Sequence, residues 1–394
     1  MQVVVIGAGI VGSTIAYELA TQLDRQGLGT SADRSIKVLD QQCHTIQPKQ
    51  NCCPTATAAA LGVLMAAISK KEKGRNLRMR LAGVDWYDRV IPDLETCTGL
   101  TIPYNRQGIL MLQFAGDRLD PWERLIQLRP QQNRRLELWS IEQLQQHCPQ
   151  LNLQDVIAGV YSPDDRQVDP VALTQALVQG ATQQGVEFHW GVTVTGLCEQ
   201  QSQTALQTSI GEIPYDCLII AAGLGSSPLT QILLQSISPA LDIRPVLGQA
   251  IQIQLPQPLG HASFQPVVTG HDIHVVPLGG AEYWVGASVE LPPEDWGDRR
   301  DCSPLHPQPE MLETVWQGAL QLIPELAQAE RRSQWIGLRP RPFGRPAPVI
   351  EWLSGNQNIL LATGHYRNGI LLAPGTAIAA REMIQERLAE GAIR

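Results

Sequence analysis

Val3 to Ala20 reads VVVIGAGIVGSTIAYELA, and its interpretation decides the fold. Val3 to Ile6 is an unbroken apolar run, suited to a strand buried on both faces. Gly7, Gly9 and Gly12 follow in G-x-G-x-x-G order, and Ile15, Ala16, Leu19 and Ala20 then take helical spacing. Gly7 serves the tight turn, Gly9 admits a pyrophosphate to the backbone, and Gly12 lets the helix lie close to the strand. Unpaired N–H groups at the positive end of the helix dipole complete an anion site. A second strand, Ile36 to Leu39, ends in Asp40, an acid placed to accept hydrogen bonds from an adenosine ribose. Asp40 lies 28 positions beyond Gly12, against about 20 in the usual motif. The excess is expected as a loop, Gly27 to Ser35.

Composition narrows the function. A chain of 394 residues exceeds the size, about 250 to 300 residues, at which one core stops growing, so two domains are expected. The net charge of −8, with no basic block, argues against nucleic acid or an anionic membrane as partner. Small-molecule partners are favoured. The Ala-rich run Ala56 to Ile68 is too short to span a bilayer, and the N-terminus reads as folded strand instead of a signal peptide. The eight cysteines include no C-x-x-C pair, so neither a disulfide framework nor a zinc site is implied and a reducing, cytoplasmic setting is expected.

Along the chain, TATAAALGVLMA (Thr55 to Ala66) leaves two readings open: small side chains that admit a flat ligand, or a tightly packed helix start. A helix is expected over Arg75 to Leu94, a strand over Gly108 to Phe114, and a polar helical region to about Gln150. Asp169 as N-cap and Pro170 at the first helical position begin a helix that ends at Gly185. Strands Val186 to Trp190 and Thr193 to Leu197 would continue the nucleotide domain. CLIIAA (Cys217 to Ala222) is an apolar strand meeting Gly223, read either as a ligand approach or as a simple turn.

Beyond Pro228 the pattern becomes antiparallel: Gly248 to Leu255, His271 to Pro277 and Tyr283 to Val289, the last two joined at Gly279-Gly280. His271 and His274 would fall on opposite strand faces, so no metal site is expected. A Pro-rich exposed loop, Pro292 to Pro309, should lead into a helix over Met311 to Ala329. The strand NILLA (Asn358 to Ala362) meets a second glycine-containing loop from Thr363 to Ile370, with a helix from Pro374 to Ala389. Alone, Arg339 or Arg367 would read as a salt-bridging arginine.

Five stretches together carry a resemblance: the N-terminal segment, DDRQVDPVALTQAL (Asp164 to Leu177), RPVLGQ (Arg244 to Gln249), GLRP (Gly337 to Pro340) and GHYRNGILLAP (Gly364 to Pro374). In that order they resemble the D-amino acid oxidase family, and most of all its glycine oxidases of thiamine biosynthesis. The resemblance implies an α/β fold: a Rossmann-like FAD-binding domain with a second mixed-sheet substrate domain, the chain crossing between them several times. The implied division gives 1–85, 151–235 and 335–394 to FAD, and 86–150 and 236–334 to substrate. It implies that Gly7, Gly9, Ile10, Val11 and Gly12 hold the pyrophosphate and that Asp40 and Gln41 flank the ribose. Thr57, Leu61, Gly62 and Val63 would line the flavin, Val194 would meet the adenine, and Gly223 would approach the cofactor. His365, Tyr366, Arg367, Asn368, Gly369, Ile370 and Leu371 would wrap the isoalloxazine.

Arg339 would clamp a substrate carboxylate, for which a planar fork of donors is suited. Arg367 would lie over the substrate side. Where glycine oxidases carry a tyrosine, this chain has His274, which puts glycine itself in doubt as the substrate. The implied reaction is oxidative deamination of a small primary or secondary amino acid, with molecular oxygen or another electron acceptor regenerating the flavin. A dehydrogenase passing electrons to a quinone or carrier protein shares every motif. A non-catalytic nucleotide-binding protein is the alternative of a different class, and homo-oligomerisation is left open.

Overall fold

The computed structural model describes residues 1–22, 35–43, 55–200, 203–233, 241–291, 307–354 and 358–391. The expected loops Gly27 to Ser35 and Pro292 to Pro309 lie, except for their edges, outside the described residues. The N-terminal stretch forms the strand Gln2–Ile6 and the helix Ile10–Gln22. That strand sits inside a six-stranded sheet in the order Val349–Trp352, Ile359–Thr363, Cys217–Ile220, Gln2–Ile6, Ser35–Asp40, Glu187–Trp190. Every pairing is parallel except the first.

Side-chain alternation explains why Val3 to Ile6 is apolar throughout. Val3 and Val5 face one side, where they pack with Ile15 and Leu19 of the first helix, Ala181 of the helix Pro170–Gln183, and Ala377 and Ile384 of the helix Gly369–Ala389. Val4 and Ile6 face the other side, against Val194, Leu206 and Ile213. Those three belong to a separate antiparallel meander, Val194–Gln200, Gln203–Thr208 and Gly211–Pro214. The strand expected over Thr193 to Leu197 therefore does not extend the first sheet. It covers that sheet's second face, because a strand fully apolar on both sides needs a layer on each.

The second sheet has eight strands: Glu330–Pro342, Ile243–Gln254, Glu282–Gly286, Ile273–Gly279, Val267–Gly270, Ile109–Phe114, Val156–Ser162 and Glu137–Trp139. It is antiparallel except where Val267–Gly270 lies parallel to Ile109–Phe114. One face packs on the helix Pro309–Leu322 through Leu312, Val315 and Trp316. The other carries Ala250, Val276, Trp284 and Trp335 and meets Leu61, Ala67 and Ile68. The segment after Thr55 is thus pressed between layers as irregular chain and is not a helix start. Position 335, an expected domain boundary, falls inside the strand Glu330–Pro342, and Val156–Ser162 belongs to this sheet instead of the first.

Local chemistry accounts for other departures. The helix expected over Met311 to Ala329 stops at Leu322, and a single 3₁₀ stretch, Pro324–Gln328, follows, since Pro324 has no N–H to continue the ladder. The C-terminal helix begins at Gly369, so Pro374 sits within it and leaves the Ile370 carbonyl without its helical donor. The hydroxyl of Tyr87 supplies the bond, 2.5 Å to Ile370 O, from the helix Arg75–Thr98. His271 is not on a strand. It and Asp272, with φ of 49° and 62°, form the tight turn between Val267–Gly270 and Ile273–Gly279, and the His271 ring stacks on Phe114 at 3.8 Å.

Candidate active site

The glycine loop has the steric form its sequence demands. Gly7 has φ of 105°, and a Cβ there would stand 2.7 Å from Ala221 O. A Cβ on Gly12 would stand 1.9 Å from Gly7 O. Gly9 and Val11 are partly exposed between these buried neighbours, so the loop opens at the position where the backbone would meet phosphate. Ser13 N–H is already bound to Gly9 O, and Ile10 N–H to the Thr57 hydroxyl at 3.1 Å. Among the described residues no backbone bond takes the N–H of Gly9, Val11 or Gly12. Thr57 therefore sits at the glycine turn.

Asp40 accepts from Ala8 N–H at 2.7 Å and from Gln42 N–H at 2.8 Å, one on each oxygen. A carboxylate offers about four acceptor sites, so two remain for ribose hydroxyls. Gln41 next to it is exposed. Val194 is buried beside Leu39 and Val192, and Val192 N–H binds Asp40 O, so the two residues that the resemblance gives to adenine and ribose lie together. Gly223, at the carboxyl end of Cys217–Ile220, accepts from the Thr363 hydroxyl at 3.3 Å, which ties the two loops at that end of the sheet. These residues fit a dinucleotide: an open glycine turn at a helix start, with a half-used carboxylate at the next strand's end.

The last loop brings its residues together less uniformly. His365 is buried and its Nε2 meets the Thr376 hydroxyl at 2.8 Å, so its side chain is turned into the helix and only its backbone faces the loop. Burial drives its pKa down to about 4, which keeps the ring neutral. Tyr366 has φ of 55°, and the Arg341 guanidinium lies over its ring at 5.4 Å. Asn368 and Gly369 are partly exposed, while Ile370 and Leu371 are buried against Tyr87 and Leu173. Leu61 packs beneath the eight-stranded sheet, and Val63 pairs with Gln167 just after Gly62.

Arg339 projects from the strand Glu330–Pro342 into the same region. Its Nη1 donates to Leu247 O at 2.6 Å and its Nη2 to Ser288 O at 3.0 Å. Desolvation, reinforced by the charge of Arg367, lowers its pKa to about 10, so it remains a cation at neutral pH. Gly248 makes this possible: a Cβ there would lie 2.1 Å from Arg339 Nη2. His274 lies in the next sector of the sheet, paired with Gly286 and Thr269. Among the described residues its buried Nδ1 has no hydrogen-bond partner. Burial first, then the Arg367 charge, push its pKa down to about 4. Arg367 itself reaches Asp272 at 3.4 Å on the exposed side. The site thus presents two guanidinium groups and a neutral imidazole with an open ring nitrogen.

Sequence reasoning missed Asp165. Its carboxylate accepts the N–H groups of Ala66, Ala67 and Ile68, each at 2.8 Å, and so fixes the segment that runs on from Leu61. Arg129 completes the anchor by donating to the carbonyls of Ala67, Ser69 and Lys71. Two adjacent acids at 164 and 165 look like solvated loop, and no periodicity marks the second as buried. Among the described residues no cluster of metal-ligating side chains occurs, and no helix is long and apolar enough to cross a membrane.

Known proteins place this arrangement. The bifunctional protein ThiO/ThiG of Nostoc is 30% identical over 387 residues, covering 98% of this chain and 53% of the relative. The chain therefore spans about half the length of the relatives of that type. Glycine oxidase of Bacillus licheniformis is 27% identical, covering 97% of this chain and 92% of its own. Among solved structures, glycine oxidase from Geobacillus kaustophilus superposes with a TM-score of 0.81 at 21% identity, over 98% of this chain and 95% of that one. L-proline dehydrogenase from P. horikoshii gives 0.78 at 21% identity, over 99% and 93%. The family model described as "DAO: FAD dependent oxidoreductase" matches residues 2–383, and with the two-sheet fold and the glycine turn already in place, the chain belongs to that family and takes FAD as its cofactor.

Proposed function

We propose that this flavoenzyme oxidises the carbon–nitrogen bond of a small α-amino acid, primary or secondary. The observation that carries the reading is Arg339: a cationic fork beside the last loop, steadied by two carbonyls and still holding unused donors. A fork of this kind suits a carboxylate. The glycine oxidase relatives support the same substrate class. In this reading the six-stranded sheet and its helices hold FAD, and the eight-stranded sheet supplies the substrate side.

When bound, FAD would supply a two-electron acceptor for hydride from the substrate α-carbon. Arg339 orients the carboxylate and so fixes which face of the α-carbon is presented. His274, neutral and with Nδ1 open, would hold the amine end as the free base. Arg367 adds positive potential, and the backbone of residues 365–371 closes the site from the other side. Loss of hydride from carbon and of a proton from nitrogen leaves an imine, which water converts to an oxo acid and ammonia or an amine. Oxygen would be the final electron acceptor in this reading, with hydrogen peroxide as the product.

The test is anaerobic mixing of the yellow holoprotein with glycine, sarcosine, D-alanine, D-proline and a set of L-amino acids. Bleaching of the flavin absorbance by at least one is expected, followed by peroxide on admitting air. No bleaching by any of them would overturn the amino-acid reading. Bleaching without peroxide would move the acceptor from oxygen to a quinone or carrier protein.

A further inference from the structure

The motif RPVLGQ ends in Gln249, a residue with no place in the chemistry so far. Gln249 is fully buried, and its polar atoms are all engaged. Its N–H donates to the Ser288 hydroxyl at 2.9 Å, its Nε2 donates to Glu290 Oε1 at 2.9 Å, and its Oε1 accepts from Gln308 N–H at 2.6 Å. The Ser288 hydroxyl in turn donates to the same Glu290 oxygen. Backbone bonds close the unit: Ser288 N–H to Gln249 O at 3.2 Å, and Leu247 and Glu290 exchanging both N–H bonds at 2.9 and 3.1 Å.

This unit surrounds the two carbonyls that grip Arg339. Leu247 O, which accepts Arg339 Nη1, is the same oxygen that accepts Glu290 N–H. Ser288 O, which accepts Arg339 Nη2, belongs to the residue whose hydroxyl links Gln249 to Glu290. Segment 287–290 joins the sheet only through a single bridge and three backbone bonds, and the side-chain bonds add to these in fixing the Ser288 carbonyl. A guanidinium held at two points has its plane fixed, and a bidentate contact depends on that plane.

We infer that Gln249, Ser288 and Glu290 are positioning residues that set the plane of the Arg339 guanidinium for carboxylate binding. The inference rests on the reading of Arg339 as the carboxylate clamp. Glu290 also lies close enough for its charge to act on the Arg339 guanidinium, so the variant that removes the charge but keeps an acceptor oxygen separates geometry from charge.

The experiment titrates the oxidised holoenzyme with acetate and follows the shift in flavin absorbance. Gln249→Leu and Glu290→Leu are each expected to raise the acetate dissociation constant about tenfold, and Ser288→Ala about threefold. Glu290→Gln keeps an acceptor oxygen in place and should restore binding to within about threefold of wild type. Turnover of an amine without a carboxylate should be unmoved in all four, which a general structural defect would not spare. Arg339→Leu run alongside tells the two failures apart. If Arg339→Leu binds acetate normally, the clamp reading itself is wrong. If it loses acetate while Ser288→Ala, Gln249→Leu and Glu290→Leu bind as wild type, the clamp stands and the positioning unit is refuted. Ser288→Ala deletes one atom and keeps the test available should the leucine variants fold poorly.

Discussion

Arg339 gives two of its hydrogen bonds to protein carbonyls, and the remainder is what the proposed substrate would use. Hydrogen bonds to charged groups contribute about 1.5 to 3 kcal/mol each, so Arg339→Leu should lower kcat/KM for the best amino acid by about ten- to a hundredfold or more. FAD content should be unchanged, and Arg339→Lys should rescue only in part, because an ammonium keeps the charge but not the fork. Steady-state kinetics on purified holoenzyme would check this, with an unaltered kcat/KM in Arg339→Leu moving the clamp to Arg367. His274 gives a second residue-level expectation. The resemblance sets His274 at the position of a tyrosine in glycine oxidases, so His274→Tyr is expected to shift preference towards glycine or sarcosine, and an unchanged substrate profile would leave His274 as packing alone. Arg339 drew attention in the sequence through a family motif, and His274 as a departure from the family pattern. The link from Gln249 to Ser288 and Glu290 had no such signal, because a buried hydrogen-bond unit assembled from residues 39 and 41 positions apart leaves no local pattern.

At the scale of elements, the first strand, turn and helix were fully legible, since glycine spacing and apolar alternation are local signals. Gly9→Val should therefore give a folded but colourless protein: the added side chain starts 3.2 Å from the Thr57 hydroxyl and fills the open part of the turn. A normal 450 nm flavin band in that variant would contradict the assignment. Element ends were harder to read. Pro374 reads as a helix start, yet the Tyr87 hydroxyl supplies the missing donor from another helix, and only tertiary contact could reveal that. His365 turns into the same helix, and this has a pH consequence. Its folded pKa, about 4, lies below the ordinary value of 6.5. The stability it contributes is then complete above about pH 6.5 and is lost as pH falls towards 4, by up to about 3 kcal/mol. His365→Gln should flatten the fall of Tm across that interval, and an equally steep fall would show that other groups carry it.

For the whole molecule, the two sheets were foreseeable as a change from strand–helix alternation to antiparallel pattern, whereas the assignment of single segments to one sheet or the other was not. Residues 156–162 and 335–342 side with the eight-stranded sheet because their pairing partners do, and pairing over such distances is invisible to windowed reading. Asp165 shows what holds the layers in place. Burial raises its pKa while three N–H donors favour its anion, and Asp165→Asn would set an amide against those donors. About 1 to 3 kcal/mol should be lost for each donor left unmatched, seen as a lower denaturation midpoint with weakened FAD retention. Unchanged stability in Asp165→Asn would assign the anchor to Arg129.

The strand Glu330–Pro342 carries both Arg339 and, four residues earlier on the same face, Trp335, whose indole N–H donates to Ala59 O at 2.9 Å. Ala59 lies two residues from Thr57, the group at the glycine turn. One rigid strand thus spans the cofactor segment and the substrate arginine, and thermodynamic reciprocity turns that into a measurable quantity. By whatever factor acetate tightens FAD retention, FAD must tighten acetate binding by the same factor. Trp335→Phe, which removes the bond to Ala59 together with part of the buried indole packed edge-on against Trp284, should bring that shared factor towards one while leaving each ligand able to bind alone.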